Sequence, residues 1–159
     1  RSISDWYSTC LPSSRQGEQP HRYILGLYEL LERLITDFPH ILFEGCSGGG
    51  GRFDAGMLYY SPQIWCSDNT DAHERTFIQY GTSFFYPIST VGSHVSAVPN
   101  HQTGRITSLD TRGIVAMAGS FGYELDLSTL TEEEKETMKE QVKKYRQYQL
   151  LIHNGDIIV

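Results

Sequence analysis

The sequence predicts an α/β protein with a parallel sheet, made of about four strand–helix units and so amounting to half of an eight-fold (β/α)8 barrel of the TIM type. Three observations lead there. Short apolar runs alternate with longer stretches of helical periodicity, the pattern of buried parallel strands and covering helices. Most of the short runs open into a loop rich in Gly, Ser, Asn and Asp, as the strand-to-helix loops of such barrels do. Finally, the chain has 159 residues, against the ~250 of a whole barrel.

The elements follow in order. Residues 20–37 form an amphipathic helix: Tyr23, Leu27, Leu31, Leu34 and Ile35 recur at helical spacing, opposite Glu29, Glu32 and Arg33. Pro20 suits its start and Pro39 stops it. A strand at 41–44 opens into "GCSGGGGRFD". The segment "AGMLYYSPQ" reads as a helical turn, and "QIWCSD" at 63–68 is a second strand ending in an acidic loop. "TDAHERTFIQYGTSF" is a helix capped by Thr70 or Asp71 and ended by Gly81. "SFFYPIS" is the third strand candidate, with Pro87 near its end, followed by a long loop over 89–110. "TRGIVAMAG" is a weak helix and "SFGYELDL" the fourth strand. The last helix has a capping box in Thr131 and Glu134 and a buried stripe of Met138, Val142 and Tyr145. "HNGDIIV" reads as a turn and a strand just starting.

A hydrophobic content of 39% and charged content of 20% place the chain among soluble globular proteins. A net charge of -6 gives no reason to expect nucleic acid or an anionic membrane as partner. The longest apolar runs fall far short of a membrane span, and the N-terminus does not read as a signal peptide. Cys10, Cys46 and Cys66 match no zinc spacing, and three cannot all pair, so the reading is free thiols in a reducing, cytoplasmic compartment. Ten tyrosines, seven phenylalanines and two tryptophans suit flat-faced ligands such as sugars, and equally well a core.

Four successive glycines, Gly48–Gly51, need a reason, because glycine loses the most backbone freedom on folding. One is phosphate binding by backbone N–H groups, but a P-loop would follow the last glycine with Lys and Ser or Thr, and here Arg52 and Phe53 follow. Another is close approach of a ligand to the backbone, and a third is a plain tight turn. Asp68 lies at the end of a strand behind Trp65 and Cys66, where apolar surroundings would favour its protonated form, as a general acid requires. It could instead be one of several helix caps, with Asn69, Thr70 and Asp71. His94 and His101 lie in one loop without a third ligand, which argues against a metal site. Cys46 and Cys66 have no readable partner base. Glu132 to Glu136 is a solvated helix face.

"HRYILGLYELLERL", "FPHILFEGCSGGGGRFD", "YYSPQIWCSDNTDAHER", "GSHVSAVPNHQTGR" and "FGYELDL" together resemble glycoside hydrolase family 36, the bacterial-type α-galactosidases, across essentially the whole chain. The resemblance implies a catalytic (β/α)8 barrel between two β-domains, with residues 1–150 as its C-terminal half and 151–159 opening the C-terminal β-domain. It implies retaining hydrolysis of terminal α-D-galactosides of the melibiose and raffinose kind, without a cofactor, by a homo-oligomeric parent protein. By position, Asp68 matches the family's acid/base aspartate, and Cys46, Ser47, Gly48 and Gly49 match the loop lining the galactose site. The family's nucleophile lies in a Lys-Trp-Asp-Met-Asn-Arg motif whose final residue matches Arg1. It is therefore expected three positions before Arg1, not at Asp5, and residues 1–159 alone are expected to be inactive. Cys66 and Asn69 depart mildly from the pattern, where a small polar residue and an acid or amide are expected. Two alternatives are a galactosyltransferase of the raffinose-synthase kind and a non-catalytic sugar-binding module.

Overall fold

The computed structural model describes residues 7–156. Four short strands, β1 (Glu44–Gly45), β2 (Gln63–Ile64), β3 (Gly92–Ser96) and β4 (Ser120–Glu124), run parallel and in chain order. β1 pairs with β2 and β3 with β4, and a parallel bridge from Ile64 to Val91 joins the two pairs. Helices intervene: α1 (Glu18–Asp37), the single turn α2 (Ser47–Gly50), α3 (Ala55–Tyr60), α4 (Ala72–Ser83), α5 (Leu109–Ala116) and α6 (Glu132–Asn154). All the C-terminal strand ends therefore open on one side, where ligands bind in parallel α/β sheets.

The core is small and centred on β3, with Ile64, Val91, Val95 and Ala116 almost fully enclosed. Buried polar side chains supply much of the remaining contact between helices and strands. Gln79 on α4 accepts from the Ser93 hydroxyl at 2.7 Å and donates to the carbonyls of Val115 and Ala118, both at 3.0 Å. Arg112 on α5 donates to the carbonyls of Thr107 and Ser96. Gln141 on α6 accepts from the Tyr123 hydroxyl at 2.7 Å and donates to Leu109 O at 3.0 Å. Tyr145 donates to Gly119 O at 2.8 Å and stacks on Phe121. Enclosed amides and guanidinium groups with these partners stay satisfied, whereas unpaired ones would be costly.

The capping box of α6 forms as its sequence predicts, with Thr131 and Glu134 bonded reciprocally. Of its expected stripe Tyr145 is buried, and Met138 and Val142 are half-buried. Four expectations need correction. The first strand is not 41–44 but Glu44–Gly45. α4 passes Gly81 and ends at Ser83. The stretch "SFFYPIS" is not a strand: Phe84 and Phe85 are exposed, and Ile88–Thr90 is a 3-10 turn. The third strand lies in the segment read as loop, because Gly92, Ser93 and Ser96 carry too little apolar side chain to signal a strand. Those small residues are what the place needs, since a Cβ on Gly92 would stand 3.2 Å from the Trp65 ring. Finally, α6 continues through Asn154, taking in the first two residues of the turn read in "HNGDIIV". Ile157–Val159, Arg1 and Asp5 lie outside the described residues.

Candidate active site

Beyond β1 the backbone changes hand. Ser47, Gly48, Gly49 and Gly50 have φ of 56, 68, 77 and 88°, and the Gly50 N–H donates to Cys46 O at 2.7 Å. This is one left-handed helical turn, a conformation that costs an ordinary L-residue about 1–2 kcal/mol. Glycine escapes that cost. Ser47 does not, and its hydroxyl accepts from Arg52 at 2.6 Å, while Arg52 also donates to the Tyr23 hydroxyl at 2.6 Å. The turn lies flat against the loop after β2. A Cβ on Gly49 would stand 2.7 Å from the Asp68 nitrogen, and one on Gly50 2.8 Å from the Cys66 carbonyl oxygen. The glycines thus serve handedness and loop-on-loop contact together.

Asp68 is exposed at the end of that second loop. Among the described residues its carboxylate has one hydrogen-bond contact, a long one of 3.9 Å from the Cys46 thiol. It does not cap α4. Asp71 does, accepting the N–H groups of His73 at 2.8 Å and Glu74 at 3.4 Å. The intervening turn is held by Ser67 Oγ, which accepts from Asn69 N, and by Asn69 Oδ1, which accepts from Asp71 N.

Asp71 is 2% exposed and ties a third loop to this one. It accepts from Arg105 at 2.6 Å and from the Thr103 hydroxyl. Asn100 donates to the Thr70 hydroxyl, and Ser96 to the Thr70 carbonyl, both at 2.9 Å. Burial pushes the Asp71 pKa up, but the hydrogen bonds from Thr103, the His73 N–H and Arg105 outweigh it and hold it below the ordinary carboxylate value.

Of the residues singled out by the sequence, Cys46, Gly49 and Asp68 are brought into contact, Ser47 is engaged by Arg52, and Gly48 is exposed at the rim. The two histidines separate in role. His94 stacks on Trp65 at 4.8 Å and stands 3.9 Å from Glu124, and His101 is exposed. Among the described residues no three His, Cys, Asp or Glu side chains form a metal-binding cluster. Sequence reasoning missed Arg75, which lies beneath the Asp68 loop with its guanidinium 4.0 Å from the Trp65 ring. The signal was there: Arg75 and Gln79 are polar at i, i+4 spacing on a helix face that packs inward. Grooves of about 720 Å³ lie instead along α6, one lined by Ile114, Met117 and Tyr148 and another by Tyr123, Met138 and Val142, away from Asp68.

An exposed carboxyl, a thiol and a turn of backbone at the open strand ends can exchange a proton and accept the hydroxyls of a small polar ligand. The comparisons point the same way. Residues 1–155 match the melibiase family model. The chain is 61% identical over 155 residues to the bifunctional alpha-galactosidase/sucrose kinase AgaSK of Mediterraneibacter gnavus, covering 98% of this chain and 16% of the relative. It is 63% identical over 156 residues to alpha-galactosidase 1 of Pediococcus pentosaceus, again covering 98% of this chain, and spanning 21% of that relative. Among solved structures, a variant of the GH36 alpha-galactosidase AgaA from Geobacillus stearothermophilus, in complex with 1-deoxygalactonojirimycin, superposes with a TM-score of 0.92 at 60% identity, over 98% of this chain and 22% of that one. On sequence and fold alike, the chain belongs to the melibiase family, the GH36 α-galactosidases.

Proposed function

We propose that this chain is the C-terminal half of a (β/α)8 catalytic barrel and that Asp68 is the acid/base of a retaining exo-α-galactosidase. The observation that carries the reading is the freedom of Asp68. It ends a parallel strand, points no bond into the helix that follows, and lies against the α2 turn. Four parallel strands in chain order with intervening helices support the half barrel.

In the proposed reaction Asp68 begins protonated and gives its proton to the glycosidic oxygen as the bond to the anomeric carbon breaks. A second carboxylate, ~5–5.5 Å away, forms the galactosyl ester in that step. Asp68, now ionised, then takes a proton from water as the water displaces the ester. The family motif assigns the second carboxylate to the segment before Arg1. Cys46, Ser47, Gly48 and Gly49 would line the galactosyl group, with no Cβ between it and the backbone at Gly48. AgaA variants solved with raffinose and with stachyose each carry a replaced aspartate, which suits a mechanism that stalls when either carboxylate is lost.

The test uses a complete α-galactosidase chain carrying this sequence. Asp68→Asn is expected to lose about 10²–10⁴-fold in turnover of raffinose. With an activated aryl α-galactoside and added azide, which displaces the galactosyl ester without needing a general base, turnover should return as α-galactosyl azide, the configuration of the substrate. Wild-type activity in Asp68→Asn would overturn the assignment.

A further inference from the structure

We propose that Arg75 is the positioning residue for this acid/base, a fork that fixes the backbone on both sides of Asp68; the inference rests on the acid/base reading of Asp68. Its Nε donates to Asn69 O at 2.8 Å and its Nη2 to Ser67 O at 2.7 Å. Those are the carbonyls immediately after and immediately before Asp68. The third nitrogen, Nη1, reaches Cys66 Sγ at 3.3 Å and Gly92 O at 3.4 Å, so the same group also ties the loop to β3. The guanidinium plane rests on the Trp65 ring at 4.0 Å.

Arg75 is 2% exposed, and among the described residues no carboxylate lies within ion-pair distance of it. Burying a cation without a counter-ion is costly, and an apolar side chain would fill the same space on α4 more cheaply. What an apolar side chain cannot do is hold two carbonyls at once. The planar guanidinium does so with fixed geometry, whereas a lysine ammonium is a single point donor on a flexible stem. Gly49 and Gly50 press on the overlapping stretch Cys66 to Asp68. The Asp68 backbone is thus held both by Arg75 and by the left-handed turn, while its carboxyl stays free to move a proton.

Proton donation to a leaving group is sensitive to placement, and a group displaced by about 1 Å loses on the order of 100-fold. The experiment compares Arg75→Lys, Arg75→Gln and Asp68→Asn in the complete chain, measuring kcat/KM for raffinose and for a dinitrophenyl α-galactoside, whose leaving group needs no proton. Both Arg75 variants are expected to fall about 100-fold on raffinose and no more than about 3-fold on the aryl galactoside. Asp68→Asn should show the same selectivity, more strongly. Equal losses on both substrates, or none, in the Arg75 variants would overturn the positioning role. So would unfolding of Arg75→Lys, read from its thermal midpoint, since the side chain would then be a core residue only. If Asp68→Asn shows no selectivity, the acid/base reading is what fails; selectivity in Asp68→Asn without it in Arg75→Lys overturns the fork alone.

Discussion

Gly48 and Gly49 have nearly the same backbone, with φ of 68 and 77°, and differ in what lies beyond the missing Cβ. Around Gly48 there is open space, and against Gly49 stands the Asp68 nitrogen. Gly48→Ala should therefore cost only the left-handed penalty of about 1–2 kcal/mol. Gly49→Ala adds a backbone clash that no side-chain rotation relieves, and should displace Asp68. Thermal midpoints and raffinose turnover in the complete chain check this. Both variants lose stability. Gly48→Ala, whose methyl would meet the galactosyl group, should weaken turnover of raffinose and of an aryl galactoside alike, and only Gly49→Ala should fall selectively on raffinose. Equal selectivity would show that the contact does not set Asp68. The sequence announced that the glycines had a purpose without saying which. Their number is legible as composition, but the hand of the turn and the loop it touches are tertiary facts. Asp68 was legible as either cap or acid; Asp71 takes the cap, which leaves the acid role as the proposal to be tested. Arg75 escaped notice because a charged residue on an amphipathic helix is ordinarily read as solvated.

The helices were legible because capping residues and periodicity are local. Thr131 with Glu134 and the stripe of α1 are written within a few residues of chain. The strands were less so, since β1 and β2 are two residues long and β3 is built of small residues around Val95. Exposed aromatic residues at Phe84 and Phe85 imitated a strand better than the real one did. Burial decides such cases, and burial comes from other elements. At this scale the Asp71–Arg105 pair makes a prediction. Asp71 has its pKa depressed in the folded state, so its contribution is fully present above the ordinary carboxylate pKa of about 4 and is lost as pH falls below it. Asp71→Asn should cost about 1–3 kcal/mol at pH 7, by removing the charge that meets Arg105 inside the fold. The gap between variant and wild type in thermal midpoint should then narrow as pH is lowered from 7 to 3. A gap that stays constant would mean the carboxylate charge is not what holds the loop at 97–107.

As a whole, the described residues form a sheet with two open edges, because β1 is paired only with β2 and β4 only with β3. Apolar side chains remain uncovered on several elements: Phe77 and Tyr80 on α4, Phe85 after it, and Leu150 and Leu151 on α6, the last two 79% and 68% exposed. Open edges and uncovered apolar faces drive association. Residues 1–159 produced alone should therefore exceed the monomer mass in light scattering, increasingly so with concentration. With Asp68 as the proposed acid/base they should also fail to turn over an aryl α-galactoside, because that role moves a proton and leaves the galactosyl ester to a second carboxylate. The two outcomes separate two ideas. A monomer that melts cooperatively would show that this half is self-sufficient as a folding unit and that the uncovered faces are tolerated. Turnover by the isolated chain would place both carboxylates within these residues and remove the reason for assigning the nucleophile to the segment before Arg1.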